Sequence, residues 1–356
     1  MKKIVLFTQN LDIGGVQKSV STLANFLTKF YRVFIVLSED NKEIRYKLHS
    51  SIEVRMIKTK KFDLAKKTTA LKIFNYRVKE LDKILNIIKP SLVFSYEDYN
   101  NFISLKTKYK TQKIVSVRVS IDNYRNKRIH LFDESYYLKN CKKYYKNEKV
   151  LVVSKAIQKH IPHAKVIYNG IRNLKALDNP FQNYILNVGR LHEQKGQVDL
   201  IQAFNCIKDK TEHNLIIVGD GKLREKLELL IAQLKLQKRV LLVGFDNPYK
   251  YYKNASFFVF PSYYEGFPNA LIEAMKSNLA VLSYDFPGSE EILQKRIELG
   301  NIQELAHHML YLLENEKERE KIVLNNEQFI SSLTLSKTLK NYKFQIDKMM
   351  VSSTKK

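Results

Sequence analysis

The segment SFFVFPSYYEGFPNALIEAM, residues 256–275, joins an aromatic and β-branched run to an apolar stripe at helical spacing. The run 256–262 predicts a buried strand, and the region 268–276 predicts a helix. Between them a glycine–proline bend separates two acids, Glu265 and Glu273, which stand eight positions apart. A strand, a turn and a helix in this order form the repeating unit of a parallel sheet that is covered by helices.

The same alternation runs through both halves of the chain. In the first half, strands are predicted at 3–8, 32–38, 52–57, 91–96, 113–119, 149–154 and 165–170, with an amphipathic helix at 71–88. In the second half, strands are predicted at 184–189, 214–221, 239–245, 256–262 and 279–284, with helices near 196–208, 222–236, 268–276 and 301–314. Continuous apolar strands separated by helices indicate parallel sheets with both faces covered.

These elements predict an α/β protein of two doubly wound, Rossmann-like domains in tandem. The boundary falls near 168–181, where asparagines, a glycine and a proline interrupt the periodicity. We predict a first domain at 1–170, a second at 171–332, and a C-terminal helix at 333–356 that can return to the first domain. Ligands of open α/β sheets bind at the carboxyl ends of the strands, so two such domains facing each other would form a cleft.

Composition limits the class of protein. The chain has 356 residues, of which 44% are hydrophobic, enough for two packed domains. The two cysteines, Cys141 and Cys206, are far apart, which argues against a disulfide framework and favours a reducing compartment. The first apolar run, 3–8, is too short for a signal peptide, and no run is long enough to span a bilayer. A cytoplasmic location is therefore expected.

The charge is large and unevenly distributed. The chain has 61 Lys and Arg against 36 Asp and Glu, a net charge of +25. Residues 1–170 contain 35 basic and 14 acidic residues, whereas residues 171–356 contain 26 and 22. Such an excess favours an anionic partner: nucleic acid, an anionic membrane surface or a phosphorylated substrate. The alternative explanation of the charge is solubility together with a general compositional bias toward lysine. Such a bias would raise the content of basic residues equally in both halves, which is not observed.

Glycines stand where several predicted strands end. Examples are Gly14-Gly15, the segments 188–196 and 218–224, and the turn at Gly266. Glycine lets a backbone approach a ligand closely, and helix N-termini offer free N–H groups to anions. A phosphate-bearing ligand is therefore predicted. The dinucleotide fingerprint G-x-G-x-x-G and the P-loop are both absent, so neither a Rossmann dehydrogenase nor a P-loop ATPase is supported.

Three of these segments together carry a resemblance. VGRLHEQKG (188–196), VGDGKLR (218–224) and EGFPNALIEAM (265–275), in this order and spacing, resemble family 4 retaining glycosyltransferases of the GT-B fold, of the type that assembles bacterial glycans. Further segments are also similar: IGGVQKS (13–19), VSKAI (153–157) and VIYNGI (166–171). The resemblance covers nearly the whole chain and is densest at 184–292.

The resemblance implies roles for individual residues. Glu265 would contact hydroxyls of the donor sugar, Glu273 the nucleotide ribose, and Arg190 with Lys195 the leaving diphosphate. Carboxylates suit hydroxyl donors, and the two cations suit a diphosphate that gains charge in the reaction. With Arg190, Lys195 and Glu265 as the catalytic group, the donor-binding residues are Glu273, Gly14, Gly15, Gly219, Asp220, Gly266, Phe267, Pro268 and Asn269. Pro268 is expected at the first helical position, with the amides of Asn269 and Ala270 pointing at the diphosphate.

The chain also departs from the family. Many members carry a histidine after the strand that corresponds to 113–119, near the reacting centre. Here the sequence is SVRVSIDN (116–123), and Arg118 is the expected occupant on the acceptor side. An arginine cannot accept a proton at neutral pH, so the histidine's role must be absent or located elsewhere. The segment that follows Leu293 is also shorter than is usual in the family.

No metal site or bound cofactor is expected. The sequence contains no D-x-D pair and no H-E-x-x-H. A metal-independent reaction is therefore predicted, with a nucleotide sugar, UDP-linked in many relatives, as the co-substrate. The resemblance implies retention of the anomeric configuration, with same-face attack by the acceptor hydroxyl and the departing phosphate as the base.

The predicted acceptor rests on the segment 124–147, which mixes lysines and arginines with six aromatic residues. Aromatic and basic residues together are typical of a membrane interface. We therefore predict a hexose or N-acetylhexosamine transfer to a lipid-linked surface glycan, by a peripheral protein at the inner face of the cytoplasmic membrane. An ordinary amphipathic surface helix is the alternative for this segment. For the whole chain the alternatives are a nucleotide-sugar epimerase of GT-B fold and a basic nucleic-acid-binding protein; no nucleic-acid-binding motif is present, and no nucleic-acid partner is expected.

Overall fold

A computed structural model describes residues 1–12, 14–40, 43–58, 69–119, 143–172, 177 and 179–352. The chain forms two compact units. The first comprises Met1–Gly170 together with Leu335–Lys356, and the second comprises Ile171–Thr334.

The first unit contains a seven-stranded parallel sheet. Its strands are β1 (Lys3–Thr8), β2 (Arg32–Leu37), β3 (Glu53–Met56), β4 (Leu92–Tyr96), β5 (Gln112–Val117), β6 (Lys149–Val152) and β7 (Lys165–Val166). Their order is β3-β2-β1-β4-β5-β6-β7, and every adjacent pair is parallel. The helices are α1 (Gly15–Leu27), α2 (Thr69–Ile88), α3 (Asp98–Lys106), α4 (Lys155–His160) and, from the C-terminal segment, α11 (Leu335–Ser352).

Both faces of this sheet are packed. Successive strand residues point to opposite faces, so Ile4 and Leu6 of β1 lie in one core and Val5 and Phe7 in the other. The first core includes apolar residues of α1 and of α11, namely Leu23, Leu27, Tyr342, Ile346 and Met350. The second includes Leu81, Leu85 and Ile88 of α2. The C-terminal helix therefore buries its apolar face in the first unit.

The second unit contains a five-stranded parallel sheet. Its strands are β8 (Tyr184–Val188), β9 (Asn214–Val218), β10 (Val240–Gly244), β11 (Ala255–Phe260) and β12 (Val281–Ser283), in the order β10-β9-β8-β11-β12. The helices are α5 (Gln197–Ile207), α6 (Arg224–Gln233), α7 (Tyr249–Tyr252), α8 (Asn269–Lys276), α9 (Ile302–Glu314) and α10 (Glu316–Ser331). Short 3₁₀ turns occupy Glu193–Lys195, Lys208–Lys210 and Ser289–Glu291.

Some elements were not predicted from the sequence. Helix α10 (EKEREKIVLNNEQFIS) is polar on most sides and lacks a clear apolar stripe, and α3 begins with a polar run in which Asn100 and Asn101 are buried. The strand predicted at 165–170 is only the pair Lys165–Val166, because Ile167 leaves the sheet after one further backbone hydrogen bond to Val152. Tertiary packing, which overrides weak local preference, decides these elements.

The strand orders locate the ligand-binding edge of each sheet. In the first unit the chain moves outward from β1 to β2 and β3, then returns to the other side of β1 as β4. In the second unit β8 and β11 have the same relation. In such sheets a ligand binds outside the carboxyl ends of the strands at the point where the order reverses. The two reversal points are β1/β4 and β8/β11.

Candidate active site

The loops that leave β8, β9 and β11 pack backbone to backbone. Gly196 has φ +64°, and a Cβ there would lie 2.0 Å from the carbonyl oxygen of Pro261. Gly219 has φ +146°, and a Cβ there would lie 2.0 Å from the carbonyl oxygen of Gly189. Only glycine fits such contacts together with such backbone angles. Two of the strand-end glycines therefore serve the close packing of these loops.

Backbone and amide hydrogen bonds hold the same loops together. Leu191 N donates to Asp220 O at 3.0 Å, joining the loops after β8 and β9. Tyr263 N donates to Gln194 O at 2.8 Å, and the Gln194 amide donates to Tyr264 O at 2.6 Å, joining the loops after β8 and β11. The side chains on these loops are consequently carried by a fixed frame at the β8/β11 reversal point.

Lys195 and Glu265 meet in this frame. The Lys195 ammonium donates to Glu265 Oε1 at 2.5 Å, and the side chains are 19% and 8% exposed. The ammonium also lies 5.5 Å from the centroid of the Phe260 ring. Burying a carboxylate is costly unless it is paired, and Lys195 is the partner that offsets this cost for Glu265. The sequence predicts both residues in one site, and the structure brings them into direct contact.

Arg190 and Asp220, the predicted charged residues on the loops after β8 and β9, are exposed. Within the part of the chain that the structure describes, the Arg190 guanidinium has no hydrogen-bond or ion-pair partner. The Arg190 carbonyl accepts from the buried Gln197 amide at 3.1 Å, which fixes its backbone. Asp220 is exposed, and its Oδ1 accepts the Gly221 N–H at 2.7 Å. Lys195 is paired with Glu265, whereas the Arg190 charge has no such partner among the described residues.

Sequence reasoning missed Asp199, which lies in the first turn of α5. Its Oδ2 accepts from the Tyr263 hydroxyl at 2.5 Å and from the Tyr284 hydroxyl at 3.1 Å. Burial, with the adjacent Asp199 carboxylate, raises the pKa of Tyr263 to about 12 and that of Tyr284 further. Both tyrosines therefore stay protonated and donate. The Asp199 carboxylate links the loops after β11 and β12 to α5. The signal in the sequence that could have identified Asp199 is an acidic residue three positions after Gly196.

Glu273 is buried in α8. Its Oε1 accepts from the Tyr249 hydroxyl at 3.2 Å and its Oε2 from the Tyr252 hydroxyl at 3.4 Å. Burial, with the nearby carboxylate, raises the pKa of the Tyr252 hydroxyl well above its usual range, so Tyr252 remains a donor. Glu273 is therefore not a solvent-facing helix glutamate.

The start of α8 differs from the sequence prediction. The helix begins at Asn269, with Pro268 as the residue before it, and the Asn269 N–H donates to Phe267 O at 3.0 Å. The prediction that Pro268 is the first helical residue is wrong by one position, and the Asn269 amide is engaged by its own turn. Phe267 is buried, and Gly266 is partly exposed beside Glu265.

Gly14 and Gly15 lie in the first unit, where α1 follows β1. Gly14 exchanges two hydrogen bonds with the Tyr46 hydroxyl: its N–H donates at 3.0 Å and its carbonyl accepts at 2.9 Å. Gly15 is exposed and opens α1. The structure thus places these two glycines in the unit that does not contain Lys195 and Glu265.

Arg118 is buried at the end of β5, also in the first unit. Its guanidinium donates to Tyr342 of α11 at 2.9 Å, to Asn169 at 3.0 Å, and to Ser19 and Ser116 at 3.2 Å each. It also lies 5.3 Å from the Tyr96 ring centroid. Among the described residues no carboxylate forms an ion pair with it. Arg118 therefore links α1, β5 and α11 through neutral partners.

Most of the aromatic and basic segment 124–147 lies outside the described residues. Tyr144 and Tyr145 are described. Tyr145 is fully buried, and its hydroxyl donates to Asp98 at 2.6 Å and accepts from Asn101 at 3.2 Å. The interpretation of Tyr145 as an interfacial aromatic is wrong, because a core position takes its ring and hydroxyl away from any surface.

No described helix is long and apolar enough to cross a membrane. Among the described residues, no three His, Cys, Asp or Glu side chains are grouped as metal ligands would be.

The second unit is similar in sequence to a known protein family. Residues 175–329 match the family model described as "Glycosyl transferases group 1". An uncharacterized glycosyltransferase of Methanocaldococcus jannaschii is 34% identical over 256 residues, which are 63% of each chain. N-acetylgalactosamine-N,N'-diacetylbacillosaminyl-diphospho-undecaprenol 4-alpha-N-acetylgalactosaminyltransferase of Campylobacter jejuni is 29% identical over 352 residues, 90% of this chain and 92% of the relative.

The solved structures agree on the fold. The Anabaena protein HepE, solved in complex with UDP and glucose, has a TM-score of 0.80 at 18% identity, covering 98% of this chain and 100% of HepE. The protein has the GT-B fold of two Rossmann-like domains. The matched family and both of these relatives are named as glycosyltransferases.

Proposed function

We propose that the protein is a retaining, metal-independent glycosyltransferase of family 4 that moves a hexose or N-acetylhexosamine from a UDP-linked donor to a lipid-linked surface glycan. The observation that carries the proposal is the Lys195–Glu265 pair at the β8/β11 reversal point, inside the segment matched by the glycosyltransferase family. It sets an ammonium and a carboxylate at the strand edge where a nucleotide sugar would bind.

The proposed reaction assigns separate tasks to these groups. The bond between the anomeric carbon and the diphosphate oxygen breaks, and a bond from the same carbon to an acceptor hydroxyl oxygen forms on the same face. The hydroxyl proton passes to the departing diphosphate. Lys195 and Arg190 stabilise the negative charge that develops on this leaving group, and Glu265 accepts hydrogen bonds from the sugar hydroxyls. Glu273 binds the ribose, with Gly219, Asp220 and the Gly266–Asn269 turn around the nucleotide.

The acceptor proposal rests on two observations. The Campylobacter relative, which aligns with 90% of this chain, is named for transfer to a diphospho-undecaprenol-linked sugar. The first 170 residues also carry most of the excess positive charge, which suits an acceptor that bears a diphosphate. UDP as the donor nucleotide is supported by HepE, which was solved with UDP and glucose.

A donor screen tests the proposal. UDP-glucose, UDP-galactose, UDP-GlcNAc, UDP-GalNAc and GDP-mannose are each tested for thermal stabilisation of the protein, hydrolysis, and transfer to a diphospho-undecaprenol-linked N-acetylgalactosaminyl acceptor, with EDTA throughout. We expect one UDP-sugar to be transferred, with the donor's anomeric configuration retained in the product by NMR. Inversion, or activity that returns only with Mg²⁺ or Mn²⁺, would contradict the mechanism. Conversion of the donor to its epimer without transfer would instead identify an epimerase.

Glu273→Ala is expected to weaken UDP binding by about 1.5–3 kcal/mol, the range for hydrogen bonds to a charged group. Isothermal titration of UDP measures this loss. Glu228→Ala, at a more exposed glutamate of the same unit that pairs with Arg224 on α6, is the matched control and should bind like the parent. A Glu273→Ala protein that binds UDP as tightly as the parent would remove Glu273 from the site.

We also propose that the protein binds reversibly to anionic membrane surfaces through the basic first unit. Each Lys or Arg near such a surface contributes about 1 kcal/mol, and exposed charges are screened by salt. Co-sedimentation with liposomes of increasing anionic lipid content should therefore rise with that content at low salt and be lost at high salt. Equal binding to neutral and anionic liposomes would exclude this mechanism. Absence of binding to either kind of liposome, at low and at high salt, would favour a soluble anionic acceptor. The same assay with duplex DNA tests the nucleic-acid alternative.

A further inference from the structure

The β1/β4 reversal point of the first unit also carries a carboxylate. Glu97 follows β4 directly, opposite the Thr8–Gln9 end of β1. Its backbone has φ +68°, an uncommon conformation for a residue other than glycine. Strain of this kind persists where surrounding structure holds the residue in place, and it concentrates at functional sites. Glu97 was not among the residues selected from the sequence.

The two oxygens of Glu97 have different surroundings. Oε2 accepts three hydrogen bonds: from the Gln9 N–H at 3.2 Å, the Asn100 amide at 3.3 Å and the Thr8 hydroxyl at 3.4 Å. Within the described residues, Oε1 accepts none. Three donors, from the end of β1, the residue after it and α3, therefore fix the carboxyl group through one oxygen and leave the other at the strand edge where a ligand would bind.

The charges around Glu97 favour a neutral ligand. The pKa of Glu97 is raised to about 7, mainly by burial and further by the Glu39 charge. The hydrogen bonds from Gln9 and Thr8 and the positive charge of Arg118 act in the opposite direction. Glu39, which follows β2, is held beside the site by Gln9 at 2.7 Å and Asn10 at 3.3 Å. Arg118 follows β5 and donates to Tyr342. Asp98 is the residue after Glu97, and it accepts a hydrogen bond from the Tyr145 hydroxyl. Two carboxylates at this edge disfavour a phosphate but suit hydroxyl donors.

We propose that Glu97 is an acceptor-binding residue, whose open Oε1 accepts a hydrogen bond from a hydroxyl of the acceptor sugar. This inference rests on the proposed function and deepens it, because it assigns the sugar of the acceptor to this carboxylate. Ionised Glu97 is the form that binds a hydroxyl best, so acceptor use should rise as Glu97 loses its proton.

The test compares Glu97→Gln with the parent, using UDP-GalNAc as donor and the diphospho-undecaprenol-linked N-acetylgalactosaminyl acceptor. We expect kcat/KM for the acceptor to fall about 10- to 100-fold at pH 8, as for loss of a charged hydrogen bond. The parent's kcat/KM should rise with pH through about 7, and the variant should lack that rise. UDP affinity should not change. Glu80→Gln, a surface glutamate on α2 paired with Lys83, is the matched control.

Folding of the variant is checked by its Tm. A carboxyl whose pKa is raised in the folded state costs stability as pH rises from its unfolded value through its folded value. The Glu97→Gln protein should therefore keep or exceed the parent's Tm at pH 8.

Each outcome decides the inference. Unchanged acceptor kcat/KM overturns it and leaves the proposed function standing. Loss of UDP affinity together with transfer also overturns it, because the effect would then be structural. If the parent binds UDP but transfers nothing, saturation-transfer NMR of octyl α-N-acetylgalactosaminide separates the cases. If the saturation-transfer signal of this glycoside is present in the parent and weaker in Glu97→Gln, the sugar site stands although the proposed transfer fails. If the signal is absent from the parent, or equal in the two proteins, the inference is overturned.

Discussion

Lys195→Ala is expected to lower turnover about 100-fold or more, the effect of removing one preorganised charge-stabilising group. The variant loses the ammonium proposed to face the leaving diphosphate, and it also leaves the Glu265 carboxylate, 8% exposed, without its partner. Removing one member of a buried pair costs about 3–5 kcal/mol of stability. Turnover and Tm should therefore both fall.

A double-mutant cycle separates the two effects. Lys195→Met and Glu265→Gln are made singly and together, and Tm and kcat are measured for all four proteins. The double variant should recover much of the stability lost in Lys195→Met, because the uncompensated charge is gone, but it should not recover turnover. The more exposed pair Lys250–Asp246, at 2.9 Å and with side chains 42% and 28% exposed, is the control and should show coupling of at most about 1 kcal/mol. Additive stability losses at Lys195 and Glu265 would contradict the pairing, and near-parental turnover in Lys195→Met would remove Lys195 from catalysis.

Gly196→Ala is expected to destabilise the second unit by at least about 3 kcal/mol. The left-handed backbone at φ +64° costs any other residue about 1–3 kcal/mol, and the added Cβ would lie 2.0 Å from Pro261 O, so the loops after β8 and β11 must separate. For a unit of this size such a loss corresponds to a fall in Tm of about 6–12 °C. Differential scanning calorimetry measures it, and UDP affinity should fall with it.

Gly300→Ala is the matched control for this prediction. Gly300 has a similar left-handed backbone, φ +80°, but the nearest atom to its added Cβ would be Tyr263 Oη at 3.8 Å, an ordinary contact. It should show the backbone cost alone and little change in UDP affinity. Equal losses in the two alanine variants would mean that loop separation contributes nothing, contrary to the packing of Gly196 against Pro261.

The sequence by itself determined the two α/β domains. Strand residues such as Ile4, Val5, Leu6 and Phe7 are all apolar because both faces of the sheet are covered, and this pattern is local. Turn chemistry is local as well, so the glycine loops and the pair of acids at Glu265 and Glu273 were identified without coordinates. The glycines at strand ends predicted a phosphate-bearing ligand, and the resemblance to a glycosyltransferase family made a nucleotide sugar the expected ligand.

Only the tertiary structure decided which side chains meet. Lys195 and Glu265 are 70 residues apart, and Glu97 and Gln9 are 88 apart. Arg118 and Tyr342 are 224 residues apart, and their contact depends on the return of α11 to the first unit. Spacing along the chain carries no information about such pairs, because strand order and helix return set their separation. The burial of Tyr145 has the same cause: the residue contacts Asp98 and Asn101 of a distant helix, and an aromatic that appears interfacial in sequence lies in the core.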